Sequence, residues 1–137
     1  MKVLRINHIG IAPKNTALAA SFFGDVLGLA SQGDEVVAEQ KVKVSFFQAE
    51  NSRIELLEAT SPESPIAKFL EAKGSGIQHV ALEVDDIDAW VSNLKSKGVR
   101  LIDQEPRTGA HDTRIVFIHP AATGGVLVEL VQEKAHA

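Results

Sequence analysis

Residues 6–11, Ile-Asn-His-Ile-Gly-Ile, are repeated in outline 71 positions later as Ile-Gln-His-Val-Ala-Leu at residues 77–82. A second pair of stretches has almost the same spacing: Arg-Ile-Glu-Leu-Leu at 53–57 and Leu-Val-Glu-Leu-Val at 127–131. Each half of the chain therefore carries one His near its start and one Glu near its end, both inside apolar runs. A repeat of this length indicates a duplicated structural module.

The composition is that of an ordinary globular domain, with 137 residues, 45% hydrophobic residues and 23% charged residues. A net charge of −4 argues against nucleic acid as a partner, because phosphate backbones are bound by basic patches. The absence of cysteine excludes disulfides, thiolate nucleophiles and Cys-ligated zinc. No apolar run approaches the roughly 20 residues of a membrane span, and no signal-type stretch follows Met1. We therefore expect no membrane partner and a cytoplasmic protein.

Local patterns predict the same order of elements in both halves of one domain. In module one, residues 3–59, a strand is followed by a helix that Asn15 or Thr16 can cap and that ends at Gly28. Its predicted core face is apolar at Leu18, Phe22, Val26 and Leu27. The expected strands of this module cover residues 3–12, 35–38, 41–48 and 53–58.

A linker helix is expected over about residues 60–74, with Ser64 as its cap, Pro65 at its first position and Gly74 at its end. In module two, residues 75–132, the acidic run at 85–88 is interpreted as a cap that matches the helix dipole. The strands of module two are expected at residues 77–84, 99–103, 113–119 and 125–131, and its helix ends at Gly98. Residues 133–137 are expected to fray.

Strand alternation places His8 on the opposite side from its neighbours Ile9 and Ile11. The same alternation separates His79, Glu55 and Glu129 from the β-branched and leucine residues that flank them. A charged Glu on a covered face costs several kcal/mol unless it is paired or ligated. Two His and two carboxylates that converge predict a divalent metal site.

A lone His or Glu in a strand is usually a core or surface residue, so each position carries little weight by itself. Four such residues at matched places in a duplicated module favour the metal site over coincidence. His111, in a polar loop, is predicted to lie at the rim of the site. His119 and His136 are interpreted as structural or incidental.

The chain resembles the vicinal oxygen chelate superfamily, and within it the methylmalonyl-CoA epimerase family, over residues 3 to 132. The Ser-Pro-Ile-Ala start of the linker helix and the Gly-Gly-Val-Leu-Val-Glu-Leu ending are the more specific parts of this resemblance. The matching stretches are Asn7–Ala12, Ile54–Leu57, Ser64–Leu70, Gly76–Ala81, Gly109–His111, His119–Pro120 and Gly124–Leu130.

This resemblance implies an α+β fold in which two tandem βαβββ modules form an eight-stranded open cup around a divalent metal ion. It implies that His8, Glu55, His79 and Glu129 are the metal ligands, with two coordination positions left for substrate oxygens. Co²⁺ is the favoured ion, and Mn²⁺, Ni²⁺, Zn²⁺ and Mg²⁺ are alternatives. The resemblance also implies a homodimer.

The activity implied is interconversion of (2R)- and (2S)-methylmalonyl-CoA by removal and return of the proton at C2. Glu129 is the first candidate for an acid–base group, as a ligand whose second oxygen could reach that carbon. Some family members place a second carboxylate where this chain has Val44, and Glu39 is the nearest carboxylate on that element. His111 and Arg114 are the predicted contacts to the small-molecule CoA thioester.

Two other functions stay open at this point. A glyoxalase I-like lactoylglutathione lyase would use the same metal on a glutathione thiohemiacetal. A non-catalytic protein of the same fold would bind a metabolite or drug without metal. A substrate assay separates the first alternative from an epimerase, and the metal content separates the second.

Overall fold

The computed structural model describes residues 1–134. The chain forms two compact units. The N-terminal unit is His8–Gln78, and the C-terminal unit combines Met1–Asn7 with the described residues from His79 onward. Among the described residues, no helix has the length and apolar character needed to cross a membrane.

Three helices and eight strands follow one another along residues 1–134 in the order β1-α1-β2-β3-β4-α2-β5-α3-β6-β7-β8. The helices are α1 (Thr16–Ala20, continued by a π-helical stretch, Ser21–Val26), α2 (Pro65–Lys73) and α3 (Ile87–Ser96). The strands are β1 (Val3–Ala12), β2 (Ala30–Val37), β3 (Val42–Ala49), β4 (Ser52–Ala59), β5 (Gly76–Val84), β6 (Arg107–Thr108), β7 (Arg114–Ile118) and β8 (Val128–Gln132).

In the N-terminal unit the strand order is β2-β3-β4-β1. β1 and β4 are parallel, whereas β2, β3 and β4 form an antiparallel meander. Helices α1 and α2 both pack against β4. This is a βαβββ module, as the resemblance implied, and α2 follows it in the chain.

In the C-terminal unit the strand order is β5-β8-β7-β6, again with a parallel first pair and antiparallel neighbours. Helix α3 packs against β7 and β8 through Ile87 and Val91, which meet Val116 and Leu130 in a buried apolar cluster. Replacement of such a side chain by Ala costs about 2–5 kcal/mol, so this cluster stabilises the sheet that carries His79 and Glu129. The predicted α+β class is confirmed.

The predicted caps are also confirmed. Ser64 Oγ accepts a hydrogen bond from Ile66 N at 3.2 Å, and Pro65 is the first residue of α2. Asp86 Oδ1 accepts from Ala89 N at the start of α3. Each oxygen satisfies an amide that the helix itself leaves without a partner.

The predicted core face of the first helix is wrong. Leu18, Phe22 and Val26 are exposed, whereas Phe23 packs against Phe47 with ring centroids 6.4 Å apart. Leu27, assigned to the same face, is exposed as well. The partly buried residues of this helix lie three and four positions apart, so the buried face keeps the helical period but is not the predicted face; these residues are Thr16, Ala19, Ala20, Phe23 and Gly24.

The strand predictions were less accurate at the edges of each sheet. β2 begins at Ala30, five residues before its predicted start, and residues 99–103 form only an isolated bridge from Leu101 to Ile118. Glu133, which was expected to fray, accepts a hydrogen bond from Asn7 Nδ2 at 2.8 Å. Lys134 Nζ pairs with Asp112 Oδ2 at 2.5 Å. The last part of that tail prediction, including His136, falls on residues 135–137, which lie outside the described residues.

Candidate functional site

In the N-terminal unit, His8 and Glu55 lie side by side on the neighbouring strands β1 and β4. His8 Nδ1 is 3.1 Å from Glu55 Oε2, and both side chains are almost completely buried. The parallel register places Gly10 opposite Glu55.

Arg53 is a third member of this group that the sequence did not single out. Its Nε donates to Glu55 Oε2 at 3.2 Å, and its guanidinium lies over the ring of Phe46, 5.9 Å from the centroid. Glu55 Oε2 therefore meets both a guanidinium and an imidazole. Alternation along β4 could have indicated this contact, since residues 53 and 55 point to the same side of the strand.

The C-terminal unit repeats the arrangement with His79 on β5 and Glu129 on β8. His79 Nε2 is 3.2 Å from Glu129 Oε1, and both side chains are buried. The imidazole is also held edge-on against Phe117, with centroids 5.6 Å apart. Phe117 is the cross-strand neighbour of Glu129, as Phe46 is of Glu55.

The donor chemistry of both pairs fits a divalent ion. Two neighbouring ligands of an octahedral ion, each about 2.1 Å from it, are about 3 Å apart. The observed nitrogen-to-oxygen distances of 3.1 and 3.2 Å match that spacing. Imidazole nitrogen and carboxylate oxygen are ligands that Zn²⁺, Co²⁺, Ni²⁺ and Mn²⁺ share.

Glu39, the sequence-based candidate for a second acid–base group, lies in a short 3-10 turn, Ala38–Gln40, between β2 and β3. Its side chain is exposed. The turn ends at Lys41, which has a positive φ of 53°. Glu39 is therefore outside the paired strands that carry His8 and Glu55.

His111 lies in a 3-10 turn, Ala110–Asp112, in the C-terminal unit and is exposed. His111 and Asp112 both have a φ of 57°, a left-handed conformation that costs a side-chain-bearing residue about 1–3 kcal/mol. Two bonds close the loop: Gly109 N donates to Thr113 O, and Thr113 Oγ1 donates to Ala110 O. The loop therefore presents the His111 imidazole from a fixed backbone.

Gly109→Ala is expected to destabilise the protein by about 1–3 kcal/mol, because a Cβ at this position would lie 2.8 Å from Ile115 Cγ2. Chemical denaturation measures the loss. Gly76→Ala is the matched control: its φ is not in the left-handed region, and a Cβ there lies 3.8 Å from Phe69 Cζ, an ordinary van der Waals distance. Equal losses in the two variants would mean that the contact with Ile115 is not what requires glycine at position 109.

Arg114 begins β7 and points to the surface. Both of its terminal nitrogens donate to the carboxylate of Asp88 on α3, at 2.7 and 2.9 Å. These bonds hold the pKa of the Asp88 carboxyl below its usual range. His119, interpreted as structural, accepts a hydrogen bond through Nδ1 from Ala121 N and caps the turn that follows.

Residues 7–117 match the model of the glyoxalase/bleomycin resistance protein/dioxygenase superfamily. The chain is 43% identical to the mitochondrial methylmalonyl-CoA epimerase of Mus musculus over 134 residues, which cover 96% of this chain and 74% of the mouse protein. It is 38% identical to an ethylmalonyl-CoA/methylmalonyl-CoA epimerase of Cereibacter sphaeroides, over 93% of this chain and 97% of that protein.

Solved structures agree with these relatives. A methylmalonyl-CoA epimerase in complex with methylmalonyl-CoA and NH₄⁺ has a TM-score of 0.93 and 35% sequence identity, with 98% of this chain and 97% of that chain covered. Both the sequence and the backbone of this protein are thus similar to the same group over almost their whole length. The chain belongs to the glyoxalase/bleomycin resistance protein/dioxygenase superfamily and, within it, to the family of the methylmalonyl-CoA epimerases.

Proposed function

We propose that this protein is a metal-dependent epimerase that interconverts (2R)- and (2S)-methylmalonyl-CoA. The observation that carries the proposal is the pair of buried His–Glu contacts, one in each unit, at 3.1 and 3.2 Å. The relatives named for this reaction support it across almost the whole chain. We propose that the two modules are parts of one domain.

His8, Glu55, His79 and Glu129 are the proposed ligands of a single divalent ion, with Co²⁺ as the favoured ion. All four side chains are buried, and His8, His79 and Glu129 would offer the ion two imidazole nitrogens and one carboxylate oxygen. When bound, the ion would act as a Lewis acid toward two substrate oxygens and stabilise the negative charge that develops as the C2 proton leaves. Burial excludes water and strengthens that electrostatic effect.

Glu129 is the proposed acid–base group on one face of C2. A carboxylate that binds a metal through one oxygen has a second oxygen with which it can take and return a proton. Fixing the substrate oxygens would hold C2 at a constant distance from this group, which lowers the entropic part of the barrier. Glu39 stays a prediction for the opposite face.

The remaining contacts and partners are also proposals. His111 and Arg114 are proposed to contact the CoA thioester. His111 would do so from its constrained loop, and Arg114, which Asp88 holds in place, would donate hydrogen bonds to the CoA phosphates. We propose a homodimer that works in the cytoplasm. Exposed apolar side chains of the first helix, Leu18, Phe22 and Val26, are available for contact with a second copy.

Incubation of either epimer of methylmalonyl-CoA with the protein in D₂O is expected to incorporate deuterium at C2 as the other epimer forms. The reason is that each inversion removes one proton and delivers another from a group that exchanges with solvent. Mass spectrometry measures the label, and chiral analysis of the thioester measures inversion. The control is protein treated with a chelator, which should lose both signals and recover them with added Co²⁺.

Each alternative function gives a different result in this assay. Turnover of a glutathione thiohemiacetal without turnover of methylmalonyl-CoA would replace the proposal with the lyase activity. A metabolite-binding protein would bind its ligand with the same affinity after chelation and would catalyse neither reaction. Inversion without solvent label would contradict acid–base groups that exchange with water.

A further inference from the structure

Inversion at C2 needs acid–base groups on both faces of the carbon, and Glu129 accounts for only one. We propose that Glu35, on β2, rather than the sequence-based candidate Glu39, is the second group; this rests on the epimerase function proposed above. No pattern in the sequence indicates Glu35 as an acid–base group. The pairing register of the strands in the N-terminal unit does indicate it.

Cross-strand partners place Glu35 on the same face of the sheet as Glu55. Glu35 is opposite Val44, and Val44 is opposite Leu57, two residues along β4 from Glu55. Directly opposed residues in a sheet point to the same side, as do residues two apart on one strand. Glu35 therefore belongs to the face that carries the His8–Glu55 pair.

Among the paired residues of this sheet, Glu35 and Glu55 are the carboxylates on that face. The other two carboxylates of the paired strands, Asp34 and Glu58, are opposite Ser45 and Lys43 and point to the other side. Glu35 is half-buried, whereas Asp34 and Glu58 are exposed. The face thus offers one carboxylate besides the proposed metal ligand.

Glu55 itself is poorly suited to act as a base. Its Oε2 accepts from Arg53 Nε at 3.2 Å and lies 3.1 Å from His8 Nδ1, so this oxygen already has two partners. Glu35 is on β2 and Glu55 is on β4, with β3 between them, so the backbones of these two strands are about 10 Å apart. That separation leaves space for the substrate carbon between a metal ligand and an acid–base group.

The proposed step conserves protons and electrons. The Glu35 carboxylate takes the C2 proton of one epimer, and the electron pair of the broken C–H bond moves into the enolate. Protonated Glu129 then forms the new C–H bond on the other face. Glu35 ends protonated and Glu129 ionised, and exchange with water restores the starting state. The reverse reaction uses the same two groups in opposite roles.

Glu35→Gln is expected to lower the rate of inversion by about 10²–10⁴ in both directions, because an amide cannot take the proton. One epimer should still exchange its C2 proton with D₂O without inverting, since Glu129 can remove and return a proton on its own face. The other epimer should no longer exchange its C2 proton with D₂O. Divalent metal content and the unfolding transition should match those of the unaltered protein.

Asp34→Asn is the matched control, a neighbouring carboxylate on the opposite face, and should invert normally. Normal inversion by Glu35→Gln overturns the inference. If Glu39→Gln loses inversion while Glu35→Gln remains active, the role belongs to Glu39. Equal loss of exchange for both epimers also contradicts it. Failure of the unaltered protein to invert methylmalonyl-CoA would instead refute the proposed function.

Discussion

His8→Ala and His79→Ala are each expected to abolish stoichiometric binding of a divalent ion and, with it, epimerase activity. Each substitution removes one of four proposed ligands and leaves the neighbouring Glu55 or Glu129 in a buried position without its imidazole. A buried carboxylate that loses its partner is costly, so some loss of stability accompanies the loss of metal. Metal per chain after dialysis, measured by elemental analysis, gives the direct readout.

The matched control for this experiment is His111→Ala. That imidazole is exposed, in a loop, and is proposed to contact substrate rather than metal. This variant should keep its metal even if its KM rises. Stoichiometric metal in both folded His8→Ala and His79→Ala proteins would remove the metal site as we propose it.

Glu129→Gln is expected to lower kcat by about 10²–10⁴, or about 3–5 kcal/mol in activation free energy, at full metal occupancy. The amide oxygen can still bind a metal, but the amide cannot accept or donate the proton of C2. The measurement is kcat in both directions at saturating Co²⁺, with the metal content of the same sample determined in parallel.

Glu55→Gln is the control for Glu129→Gln because it makes the same chemical change at the matched position of the other unit. Its cost should be much smaller, since Glu55 is proposed to act as a ligand only and is already held by Arg53. If Glu129→Gln keeps a kcat close to that of the unaltered protein with its metal bound, Glu129 is a ligand and not a base. The two substitutions together thus separate metal binding from proton transfer.

Much of the candidate site could be predicted from the sequence because its signals are local. Whether His8 or Glu55 points away from its apolar neighbours depends only on the alternation of a single strand. The repeat then pairs each His with the Glu of its own module, and the structure has those pairs in contact. The caps at Ser64 and Asp86 were equally predictable, since a cap acts over three residues.

Prediction was wrong where a choice depends on distant parts of the chain. Leu18, Phe22 and Val26 follow an α-helical period, but Phe23 and Gly24 follow the same period on the face that is partly buried. Phe23 packs against Phe47, and nothing in the local sequence indicates that contact. The short bridge at Leu101 is a similar case, because its partner, Ile118, is distant in the chain.

The sequence by itself determined the duplicated modules, the four buried ligand candidates and the faces on which they lie within their own strands. Only the tertiary structure decided that Glu35 shares the face of His8 and Glu55. That relation depends on the register between neighbouring strands. A shift of one residue in that register would turn Glu35 to the opposite face, and no periodicity within a single strand contains that information.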